Sequence, residues 1–194
     1  MKRFIRTLVW FGLMGCPALL NAQQTAAPNA AMMEAFKLAQ PSEAHKVLAL
    51  MAGKWTGKLN ITDPSGTQPP MESTEEADSR LMLGGRYLVG EARGTLMGMP
   101  MQRMSVLGYD NFKKIYTLVF YSSMGTATDT AVGTYDASKK TLTLRGVFDG
   151  PGGKEPFKNV VRIESDDVHV FESYKVLKDG SEVKVIEEVF MRQK

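Results

Sequence analysis

Two rhythms of apolar and polar positions divide the chain. From Ala30 to Met51 the apolar residues recur at helical spacing. Met32, Met33, Phe36 and Leu38 mark one short helix over 30–39. Pro41-Ser42-Glu43 opens a second, which runs to Met51 and stops at Gly53. Beyond Gly53 the period falls to two and stays there to the C-terminus. Turn residues interrupt the alternation at intervals of roughly 10 to 14 positions, the spacing of an all-β sandwich or barrel. About ten strands are predicted, near 54–62, 72–83, 86–95, 101–109, 114–122, 127–135, 140–149, 157–165, 168–177 and 182–192. Parallel neighbours need long crossovers and no helical pattern intervenes, so the sheet is expected to be an antiparallel meander. Closing it removes both edges, which makes an up-and-down barrel with a helical cap the expected fold.

The turns carry their own signals. Tyr109-Asp110-x-x-Lys-Lys and Tyr135-Asp136-x-x-Lys-Lys repeat one hairpin pattern, in which the aspartate side chain caps the turn. Asp179-Gly180 marks another tight hairpin, and Gly84-Gly85 a sharp corner.

At the junction of helix and sheet stands Gly53-Lys-Trp55, and near the end of the last strand Phe190-Met-Arg192. This pairing resembles the calycin signature of lipocalins and fatty-acid-binding proteins. The resemblance implies that Trp55 packs across the closed end of the barrel and that Arg192 lies over its ring, with Gly53 as part of that floor. From about Glu43 to Arg192 the chain also resembles the bacterial domain of unknown function 1579 family, itself calycin-like. Gly53-Lys-Trp55, Leu83-Gly-Gly-Arg-Tyr87, Met97-Gly-Met-Pro100, Leu107-Gly-Tyr-Asp110, Gly133-Thr-Tyr-Asp136, Phe171-Glu-Ser-Tyr174 and Asp179-Gly-Ser-Glu182 carry that resemblance. The family has no established activity. The chain departs from it at Ser122-Ser123, where the family commonly has tryptophan and an aspartate.

The first 22 residues have the layout of a secretory signal: Lys2, Arg3 and Arg6, then an apolar run, then Leu20-Asn21-Ala22. Leu13-Met14-Gly15-Cys16 offers an alternative, a lipobox that would anchor a lipoprotein through Cys16 and bring the chain to a membrane. Pro17 and the apolar residues up to Leu20 favour cleavage after Ala22. The expected organisation is a signal over 1–22, a flexible then helical segment over 23–41 and a barrel over 42–194, exported to the periplasm or beyond. Removing the signal lowers the 24 basic residues by Lys2, Arg3 and Arg6, against 21 acidic. A balanced chain with no polybasic block points away from nucleic acid. With one cysteine, no internal disulfide is available.

Candidate chemistry concentrates in two places. In the strand over 168–177 one face carries Val168, Val170, Glu172, Tyr174 and Val176, the other His169, Phe171, Ser173 and Lys175. The valines favour the first set inward, bringing Glu172 and Tyr174 into the barrel. A buried carboxylate needs donors, and Arg93, Arg103, Arg145 and Arg162 are the candidates. Such a cluster would orient a ligand's polar head, or form a satisfied core network with no ligand. Secondly, Met97, Met99, Met101 and Met104 fall within Met97-Gly-Met-Pro-Met-Gln-Arg-Met104. They read as a flexible apolar rim, with a Cu(I) thioether site as the alternative.

The two histidines, His45 and His169, lack zinc spacing. A haem barrel would require His169 to face inward, and the expected phase turns it outward. No cofactor or metal is therefore expected. The reading is a barrel for a small, mostly apolar ligand with a polar head. Its alternatives are an enzyme using Glu172 with Tyr174 or Glu91, and an envelope interaction protein with no ligand.

Overall fold

The computed structural model describes residues 29–150 and 153–194. The expected signal, its Cys16 alternative and most of the tether lie outside the described residues. Within them ten antiparallel strands close into one barrel. They are β1 (Gly53–Ile61), β2 (Met71–Met82), β3 (Tyr87–Leu96), β4 (Met99–Asp110), β5 (Ile115–Ser122), β6 (Asp129–Asp136), β7 (Thr141–Gly150), β8 (Gly153–Ser165), β9 (Val168–Val176) and β10 (Glu182–Arg192). Each strand pairs with its neighbours in sequence, and β1 pairs with β10 to leave no open edge. The expected fold is the fold observed.

β1 shows why period two produces a wall. Trp55, Gly57 and Leu59 are buried while Lys54, Lys58 and Asn60 are exposed. The repeated turn pattern works as its chemistry requires. Asp110 Oδ1 accepts from the Phe112 and Lys113 N–H groups at 2.8 and 3.0 Å, and Asp136 Oδ1 from those of Ser138 and Lys139 at 2.9 and 3.2 Å. The second lysine of each pattern, Lys114 or Lys140, then takes a left-handed φ of 59° or 49° to start the returning strand.

Two bulges reset the phase of strands. In β10 the register passes from Lys184 to Ile186, so one extra residue separates a segment with Lys184 outward from one with Ile186, Glu188 and Phe190 inward. In β8 a similar shift follows Ile163.

One end of the barrel is plugged. Helix α1 (Ala30–Leu38) buries none of its residues and lies outside. A 3₁₀ turn (Glu43–His45) and helix α2 (Lys46–Leu50) form the stopper, so the second predicted helix is split in two. His45 fills the capping-box position, its Nδ1 accepting from the Ser42 N–H at 3.0 Å. Val47, Leu48 and Met51 pack on Leu88, Leu107, Tyr116, Ala131, Leu142 and Ile163 from six strands. Leu48 has no exposed surface, and its burial contributes about 1.5–3 kcal/mol. The Tyr116 hydroxyl donates to the Ala44 carbonyl at 2.7 Å, tying the stopper to β5.

Candidate functional site

The floor comes first because it sets the depth of the cavity. Gly53 adopts φ +132°, and a Cβ there would collide with Arg192 Nη1. Its absence lets the Arg192 guanidinium lie 4.1 Å from the centre of the Trp55 ring. Arg192 is held by the Ala52 and Asp166 carbonyls, which accept from Nη1 and Nε at 2.8 Å each. Trp55 is 1% exposed, and its Nε1 donates to the Met51 carbonyl at 3.1 Å. On its inner side the ring meets His169 edge-on, centroids 4.4 Å apart, and His169 stacks on Phe190 at 4.7 Å.

Above this floor the barrel encloses a cavity of about 380 Å³. Leu88, Leu118, Phe120, Leu144, Phe157 and Phe171 give it apolar walls. Gly90 and Ala92 on β3 and Ala77 on β2 put little side chain into the cavity, and polar side chains project into it from β2, β4 and β10.

Those side chains are Glu75, Arg103 and Glu188. Arg103, from β4, reaches over Ala92 so that Nη2 lies 2.9 and 2.7 Å from the two Glu188 oxygens and also donates to Glu75 Oε1. Gly57 makes the meeting possible: a Cβ there would stand 2.5 Å from Glu188 Oε1 and 3.2 Å from Glu75 Cγ. Glu75 and Glu188 are 2% and 1% exposed. Burial pushes the Glu188 carboxyl well above the usual carboxylate range; Arg103 opposes the shift and Glu75 reinforces it. Asp129, also on the cavity wall, is raised by burial. Glu75 Oε2, Arg103 Nε, Asn159 Oδ1 and His169 Nδ1 are buried with no hydrogen-bond partner among the described residues.

The structure reverses the expected phase of β9. His169, Phe171 and Ser173 line the cavity, whereas Glu172 and Tyr174 stand on the outer face. The physical reason is that the outer wall is itself well covered. Glu172 accepts from Lys184 Nζ at 3.1 Å and the Tyr174 hydroxyl at 3.0 Å, and pairs with Arg162. Burial works to raise the Glu172 carboxyl, but hydrogen bonds from Lys184 and Tyr174, with the charges of Arg162 and Lys184, outweigh it and hold it low. Lys158 Nζ lies 4.1 Å from the centre of the Tyr174 ring, so that side chain is also engaged outside. His169 faces inward as a haem ligand would have to, but its ring is wedged between Trp55 and Phe190 as part of the floor. Burial, with the nearby Arg192 charge, pulls its pKa down to about 4 and keeps it neutral.

Of the other predicted residues, Arg103 is central to the cavity. Met101 shares its inward phase and is buried, Met99 is exposed at the end away from the stopper, and Met104 touches the cavity from the opposite phase. Met97 is exposed in the turn between β3 and β4. The methionines are thus spread along the wall and rim and do not converge. Among the described residues no group of three or more His, Cys, Asp or Glu side chains is placed to hold a metal ion.

Glu75 and Glu188 belong to no motif in the sequence. Glu188 had a signal: counting back in twos from Arg192, already assigned to the floor, passes Phe190, Glu188 and Ile186. For Glu75 there was none, because Glu72-Ser-Thr-Glu-Glu-Ala-Asp-Ser79 is polar on both phases.

Residues 40–192 match the family described as protein of unknown function, DUF1579, and the chain belongs to that family. No curated protein matches it. Among solved structures, the crystal structure of Rv2717c from M. tuberculosis is similar, with a TM-score of 0.60 and 20% identity, covering 80% of this chain and 100% of that one. The S-type phycobiliprotein lyase CPES from Guillardia theta is similar too, with a TM-score of 0.51 and 11% identity, covering 79% of this chain and 99% of that one. At such identities the likeness is one of fold.

Proposed function

We propose that this protein is an exported barrel that binds one small, mostly apolar molecule by its polar head. The observation that carries the reading is the cavity: its volume falls within the range of small-molecule sites, and its apolar walls surround a few convergent polar groups. A core built only for stability would fill this space, since protein interiors are packed to crystal density. Here small residues keep it open around Arg103, Glu75 and Glu188. Export rests on the leader-like first 22 residues, with anchoring through Cys16 as its alternative.

The test is titration with an environment-sensitive apolar fluorophore. Wild-type protein is expected to give saturable, single-site emission. Ser105→Leu, which extends an inward side chain into the cavity, should abolish it without lowering the unfolding midpoint. Absence of saturable emission, or binding indifferent to Ser105→Leu, would count against the reading.

A further inference from the structure

The unmatched atoms of the cavity define the head group it takes. Glu75 from β2 and Glu188 from β10 face a single arginine, and Arg103 uses one nitrogen, Nη2, for both. One positive charge therefore serves two carboxylates. Glu75 is 2% exposed, lines the cavity and leaves Oε2 without a partner among the described residues. Asn159, 9% exposed and on the same cavity wall, leaves its Oδ1 acceptor unmatched as well. Asp129 adds a further carboxyl to the lining. Against these acceptors, Arg103 Nε is the unmatched donor of the cluster.

Resting on the binding function proposed above, we propose that the cavity selects an amphiphile whose head is a cationic nitrogen donor, such as a protonated amine, seated on Glu75 Oε2. A buried acceptor without a donor is costly, and more so when charged. An ammonium satisfies it and supplies the charge that the cluster lacks. A carboxylate head could take Arg103 Nε, but it would lie beside the carboxyl groups of Glu75 and Glu188, where a further negative charge is disfavoured. With its proton affinity raised by burial and by Glu75, Glu188 makes up the missing positive charge with a proton at pH 7, and an ammonium seated on Glu75 would take over the proton's role and release it.

Three probes with the same ten-carbon chain separate the possibilities: decylamine, decanol and decanoate, each displacing the fluorophore from the full chain at pH 7. Decylamine is expected to bind about tenfold more tightly than either of the others, the value of one charge-assisted hydrogen bond. Glu75→Gln should remove the amine's advantage over the alcohol. Decanoate binding as tightly as the amine, or an amine preference that survives Glu75→Gln, would overturn the inference while leaving the binding function intact. Displacement by none of the three would overturn both. If Glu75→Gln fails to fold, the wild-type series alone decides.

Discussion

Arg103 on β4 and Glu188 on β10 meet inside the barrel across three intervening strands, Nη2 lying 2.7 and 2.9 Å from the two carboxylate oxygens. Neither is near the other in sequence, and the small side chains between them clear the way. Removing the arginine leaves two buried carboxylates without a counter-ion. Arg103→Met should cost about 3–5 kcal/mol in urea unfolding, and adding Glu75→Gln with Glu188→Gln should restore most of it. A triple variant no more stable than the single one would show that the cluster is not held by its charges.

The floor makes a second prediction. Trp55→Ala removes a large ring packed by Arg192, His169 and the stopper, and should cost about 3–5 kcal/mol. Arg192→Ala should cost less, because its side chain is 30% exposed. Urea midpoints equal to the wild type would remove the floor as a stabilising unit.

His169 predicts a pH effect. Its folded pKa is about 4 against an ordinary 6.5, so the unfolded chain binds the proton more readily. Stability from this group is complete above pH 6.5 and is lost as pH falls towards 4, by about 3 kcal/mol. Glu188, raised from 4.5, acts with the opposite sign: its contribution is present below pH 4.5 and is lost as pH rises through its folded pKa. The difference between wild type and His169→Phe isolates the histidine. Between pH 7 and 4 the wild type should lose about 3 kcal/mol more than the variant. Parallel curves would mean that the ring is protonated in place.

Glu172 separates the outer face from the inner. Glu172→Gln weakens the pairing with Arg162 and Lys184 and should cost about 1–3 kcal/mol, while fluorophore binding stays unchanged. Loss of binding in a folded variant would place this side chain in the cavity after all.

These outcomes bear on what the sequence makes readable. Period-two alternation located every strand, because its requirements are local and steric, whereas the floor of Gly53, Trp55 and Arg192 was legible through the resemblance to the calycin signature. β9 misled because both of its faces are half apolar: Val168, Val170 and Val176 pack on the outer wall, while His169 and Phe171 fill the inside. In a closed barrel whose cavity is partly polar, the more hydrophobic face need not be the inner one. The bulge at Val185 hid Glu188 further, since plain alternation puts it on the same face as Lys184.

Native mass spectrometry of the protein purified from the cells that make it tests the binding claim most directly. The wild type should arrive with a small molecule bound, released on denaturation, and Ser105→Leu should arrive at its bare chain mass. A wild type that carries nothing under non-denaturing conditions, and takes up nothing from a total lipid extract, would contradict the account.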